Sequence, residues 1–194
     1  RAQALEDNDD LGRALEAWRA VHEADPDALD PVRALRRVAL ARGDFWTAAR
    51  ALVDERALTT DLDDALAIDR LLGRVSDREL GDQLGAVAAW ERVRSRIPDD
   101  VEALQALKAL YADLGRADAL VGVLRDLLAG APDDAARAAQ LIDAGRLLEE
   151  QRGDHREAFE CWWRAWLLTE GDAPELLAAM RRLAERGQLW DRYL

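Results

Sequence analysis

The chain of 194 residues is 49% hydrophobic and 34% charged, long enough for one compact domain or a short repeat array and too apolar to remain disordered. Its 39 acidic against 27 basic side chains leave a formal charge of -12, which repels phosphates and argues against nucleic acid as a partner. Cys161 is the one cysteine, which excludes an internal disulfide framework; no apolar run reaches membrane-spanning length, so no membrane insertion is expected, and the compartment stays open between cytoplasm, the favoured one, and periplasm.

From Ala14 to Asp27 the apolar residues Ala14, Leu15, Ala17, Trp18 and Val21 follow the i, i+3, i+4, i+7 stripe of an amphipathic helix. Asp25-Pro26-Asp27 ends it, because proline cannot continue a helix and pushes its predecessor out of the helical region. A second stripe, Val32, Leu35, Val38 and Ala39, runs to Gly43, where glycine can take the left-handed conformation that closes a helix. Asp44 caps the next helix, whose stripe is Phe45, Ala48, Ala49 and Leu52. Longer helices are expected over roughly Asp61 to Leu80 and Asp133 to Gln151. The acidic runs Asp61-Leu62-Asp63-Asp64, Asp99-Asp100 and Asp133-Asp134 read as helix N-termini, where carboxylates cap free N–H groups, rather than as calcium loops. No segment sustains period-2 alternation, so no strand is expected.

The chain repeats itself. Trp18, Trp90 and Trp162 stand 72 residues apart, as do Gly43, Gly115 and Gly187, Ala14, Ala86 and Ala158, and Asp10, Asp82 and Asp154. Gly73 with Gly145 and Gly81 with Gly153 keep the same interval. Each 72-residue unit divides again, since Asp10 to Asp44 is 34 residues and Asp44 to Asp82 is 38. Stacked helix pairs of that length form an α-solenoid. Counting back from Gly81, Arg1 falls partway through a first helix, and Leu194 falls within a second one; the expectation is a single array over 1–194, cut within a repeat at both ends and drawn from a longer protein.

The order of a large apolar residue and Tyr in a first helix, Gly at the turn, then Ala, a large aromatic, a small residue and a closing Pro in the second resembles the tetratricopeptide repeat. The fullest match runs through Leu104, Leu107, Tyr111, Gly115, Leu120, Leu124 and Pro132, and through Gly81, Ala86, Trp90, Val93 and Pro98. The resemblance covers essentially the whole chain and implies about five to six repeats in a right-handed, all-α solenoid. With arginine used almost to the exclusion of lysine, a mark of a high-GC genome, it implies an excerpt of a longer bacterial protein. Thr60 and Glu170 stand in place of the closing Pro, and Glu55 in place of a small residue.

Catalytic chemistry is sparse. His22 and His155 are the two histidines, neither sits at metal-ligand spacing with Cys161, and neither a phosphate-cradling glycine loop nor HExxH nor GxSxG is present. No catalytic residue, metal or cofactor is expected, and the reading is of a non-enzyme.

In the resembling family the first helices line a concave groove that commonly receives a peptide or a partner helix. By register, its inward positions here are Asp30, Arg33, Arg37 and Leu40; then Glu102, Gln105, Ala109 and Asp113; then Gln140, Asp143, Leu147 and Glu150; then Leu177, Arg181 and Glu185. The lengthened helix adds Ile68, Leu71 and Val75. This wall is basic at its N-terminal end and acidic or neutral beyond. One subclass holds the C-terminal carboxylate of heat-shock chaperones with Lys, Asn and Arg; Arg33 and Arg37 imitate its first element, but Leu72 replaces the Asn and Glu102 and Ala106 stand where cations are needed, so that specificity is not implied. The partner expected is another protein or peptide, or other parts of a longer chain of its own; the alternatives are a regulatory or sensor segment of an enzyme whose catalytic part lies elsewhere, or a self-assembling spacer.

In Cys161-Trp162-Trp163-Arg164-Ala165-Trp166 the three indoles separate on self-comparison. Trp162 aligns with Trp18 and Trp90 and reads as core. Trp163 and Trp166 align with the polar Arg19 and Glu91, and His22 and Arg94; they either pack beneath the extra turn of the preceding helix or form an outer-face interface.

Overall fold

A computed structural model describes residues 2–7, 10–169 and 173–187. They form α1 (Ala2–Asp7), α2 (Leu11–Ala24), α3 (Leu29–Arg42), α4 (Phe45–Leu58), α5 (Leu62–Arg78), α6 (Gln83–Arg96), α7 (Val101–Asp113), α8 (Ala117–Ala129), α9 (Asp134–Leu147), α10 (His155–Leu168) and α11 (Pro174–Gly187), with a π turn over Leu148–Arg152 extending α9. No strand occurs among the described residues. The fold class is an all-α helical-repeat solenoid, as the periodicity predicts. The chain divides into two compact units, Arg1–Arg96 and Ile97–Leu194, and in each the consecutive helices pack on one another. The odd-numbered helices are the first members of the pairs and the even-numbered the second.

The turn chemistry follows the sequence. Asp10, Asp44, Asp61, Asp100, Asp133 and Asp154 each accept the backbone N–H three residues on, so the acidic runs are caps. Asp44 also accepts the Thr47 hydroxyl at 2.8 Å, and this bond, ahead of the Thr47 N–H, holds its carboxyl below the usual aspartate range. At Gly43 (φ 76°) the glycine N–H bonds Leu40 C=O and the Asp44 N–H bonds Ala39 C=O, the doubled closure that a left-handed residue permits. Gly115 and Arg116 repeat it on Ala112 and Tyr111.

The lengthened first helices close one residue wider. Asp82 N–H reaches Ser76 C=O at 2.8 Å, and Asp154 N–H reaches Leu148 C=O at 3.3 Å. α5 accordingly has 17 residues, where α3 has 14 and α7 has 13.

Cores form where three successive helices meet. Ala14, Leu15, Val32, Leu35, Val38 and Ala48 join α2, α3 and α4, and Leu52, Ile68, Leu72, Val75 and Ala89 join α4, α5 and α6. Leu141, Phe159, Trp162, Leu176, Met180 and Leu183 do the same for α9, α10 and α11. The recurring Ala14, Ala48, Ala86 and Ala158 are all fully buried, which lets paired helices approach closely. Trp90 and Trp162 are buried as the repeat requires, each lying against the glycine of the preceding helix: a Cβ on Gly73 would sit 2.6 Å from the Trp90 ring, and one on Gly145 2.9 Å from the Trp162 ring. Trp18 is only half-buried and turns its N–H to Glu6; the residue that stands in register with Gly73 and Gly145 there is Arg1, outside the described residues.

Candidate functional site

Expected inner positions group by unit. In the first unit they belong to a web of ion pairs. Arg37 forks onto Glu6 of α1, with contacts of 2.8 to 3.1 Å. Arg33 donates to Glu55 of α4 at 3.3 Å and to Asp64 of α5 at 3.1 Å, and Arg36 Nη1 stands 3.3 Å from the other Glu55 oxygen. Glu55 is 2% exposed, so the residue that departs from the repeat pattern is a buried carboxylate held between two guanidiniums. The basic end read from the sequence is thus largely neutralised by Glu6, Glu55 and Asp64 of the same unit. Leu40 and Leu71 are half-buried and pack against the core. Ile68 and Val75 are corrections to the expected inner wall: they lie 3% and 5% exposed inside the α4–α5–α6 core.

In the second unit Lys108 Nζ bonds Asp143 at 2.9 Å, and Arg146 bonds its other oxygen. Arg182 and Arg186 of α11 converge on Glu149, and hydrogen bonding to Glu149 raises the Arg182 guanidinium pKa above its usual value. Such pairs tie successive first helices together across the face that the repeat leaves free of core. Gln105 and Leu147 are half-buried and Asp113 is exposed, while Arg181 is exposed and, among the described residues, pairs with Glu185 of its own helix. Gln140 is a second correction: it lines a cleft between α8 and α10, on another side of α9.

Sequence reasoning missed Asp69. It is 2% exposed on α5, and Arg56 of α4 and Arg92 of α6 each donate to one of its oxygens, at 3.0 and 2.7 Å. The signal was present, because an aspartate between Leu66 and Leu72 breaks an apolar stripe. On α10, Trp163 and Trp166 stack with ring centres 5.4 Å apart. Trp166 is partly buried against the second unit's core, while Trp163 is 36% and Leu167 55% exposed.

Among the described residues, no group of three or more His, Cys, Asp and Glu side chains is arranged to hold a metal ion, and no helix is long and apolar enough to cross a membrane.

No protein-family model matches the chain, and no curated protein matches it. Solved structures do. YrrB, described as a TPR protein with an unusual peptide-binding site, aligns over 93% of this chain and 88% of its own at 20% identity and a TM-score of 0.53. MamA aligns over 87% of this chain and 94% of its own, at 20% identity and TM-score 0.52. A tetratricopeptide repeat protein from Parabacteroides merdae covers 99% of this chain and 73% of its own, at 17% identity and TM-score 0.52. Together with the helix pairs, the glycine turns and the 72-residue echo, these likenesses show that the chain has the tetratricopeptide-repeat fold.

Proposed function

We propose that this chain is a non-catalytic protein-interaction scaffold whose first helices receive a peptide or a partner helix. The observation that carries the reading is the division of the first helices into a core face and a polar face that stays outside the core. In α7, Leu104, Leu107 and Tyr111 are buried while Gln105 is half-buried and Asp113 exposed; in α11, Leu176, Met180 and Leu183 are buried while Leu177 and Arg181 are exposed. Ion pairs between successive first helices hold that polar face in a fixed geometry, and a preorganised surface loses less entropy on binding. The fold likeness to YrrB, itself described as having a peptide-binding site, supports the same reading.

The experiment is capture of a partner on the immobilised chain, followed by titration of its binding segment. Reversing Arg33 and Arg37 is a poor probe, because it strips the partners from Glu55 and Glu6. Gln105→Arg, Asp113→Arg and Arg181→Glu together change the second unit's free face without touching its core. Affinity is expected to fall about tenfold or more, with the melting temperature unchanged. Unaltered affinity would exclude this face.

A further inference from the structure

Each unit also carries a cleft between two successive second helices, floored by a lengthened first helix: between α4 and α6 over α5, and between α8 and α10 over α9. It is the same cleft built twice. Ala49, Leu72 and Arg92 line the first, and Val121, Ala144 and Arg164, each 72 residues on, line the second.

The charges differ in a telling way. In the first unit Arg92 is engaged by Asp69, which Arg56 shares. In the second, Leu141 stands in register with Asp69 and Leu128 with Arg56. Acid and one cation are replaced by leucine, which leaves Leu141, Ala144 and Leu148 as a largely apolar floor beside Gln140, yet the arginine persists as Arg164. Arg164 on α10 and Arg125 on α8 are exposed on opposite walls, and among the described residues neither has an ion-pair partner. Glu157 and Glu160 on the same rim are already engaged. Two unmatched guanidiniums therefore flank a largely apolar floor.

We propose that the α8–α9–α10 cleft binds a short acidic amphipathic segment of a partner protein. An apolar side chain of the segment enters over Leu124, Leu128 and Leu141, and its flanking carboxylates meet Arg125 and Arg164, where guanidiniums give forked, charge-assisted bonds. The cleft encloses about 240 Å³, below the roughly 300–1,000 Å³ of sites that engulf a small molecule, which suits one or two anchoring side chains. The chain's charge of -12 repels an acidic peptide at long range, so only local pairing with these arginines retains it. This face is distinct from the first-helix wall proposed above, and the two readings stand or fall separately.

The lone thiol is a built-in reporter, because Cys161 lines the cleft half-buried; burial raises its pKa. A dye-labelled peptide alternating Leu and Glu, its lysine counterpart, and a composition-matched scramble with the leucines gathered in one block are titrated by fluorescence anisotropy, and Cys161 alkylation is timed with and without peptide. The acidic amphipathic peptide should bind in preference to the scramble, slow alkylation, and lose about tenfold or more in affinity in Arg125→Glu/Arg164→Glu, while Arg181→Glu on α11 leaves it unchanged. Equal binding of the scramble, unaltered alkylation, or affinity indifferent to the double reversal would overturn the proposal. So would light scattering showing that the cleft's arginines instead govern self-association.

Discussion

An indole ring pressed against a glycine leaves no room for one more methyl group, and the chain sets Trp90 on Gly73 and Trp162 on Gly145 in this way. Alanine is the better helix former by about 1 kcal/mol, so on local grounds Gly73→Ala should stabilise α5. The clash at 2.6 Å with a rigid buried ring outweighs that gain, since overpacking costs about 1–3 kcal/mol. Gly73→Ala is therefore expected to lower stability by about 1 kcal/mol in a denaturant titration, and Trp90→Ala by about 3–5 kcal/mol. Asp44 makes a second residue-scale prediction. Its folded pKa is lowered by the Thr47 hydroxyl and N–H, so the cap contributes fully above the ordinary aspartate value and is lost as pH falls through the lowered one. Following the Thr47 amide by NMR should show that titration below the usual range, and Thr47→Val should move it upward.

At the scale of the element, the buried carboxylates decide how helices are held. Glu55 joins α4 to α3 through Arg36 and Arg33. Removing it leaves guanidiniums that are 28% and 40% exposed and partly rehydrated, so Glu55→Ala should cost about 2 kcal/mol, less than a wholly buried pair would. Arg36→Ala combined with Glu55→Ala should recover part of that loss, giving a coupling of about 1 kcal/mol by double-mutant cycle. Strict additivity would show that the pair is not coupled. The helices, caps and turns were legible from periodicity, aspartates and glycines because each is set by neighbours in sequence. The ion pairs were not, because Asp69 meets Arg56 and Arg92 from 13 and 23 residues away. The inner register failed at Ile68, Val75 and Gln140, all on the two first helices whose closing turn is one residue wider than that of α3 or α7, so that positions counted back from Gly81 and Gly153 no longer match those counted back from Gly43 and Gly115.

For the whole molecule, the 72-residue echo made the solenoid class readable, since repetition reports a stacking unit rather than any one contact. What repetition cannot report is where the copies diverge, and the α8–α9–α10 cleft proposed above lies in such a divergence: Leu141 for Asp69 and Leu128 for Arg56. The claim that first helices form the principal binding wall is tested most directly by hydrogen exchange of the chain with and without its captured partner segment. Protection concentrated in α7, α9 and α11, with α8 and α10 unchanged, is the predicted result. Protection confined to α8 and α10 would contradict it.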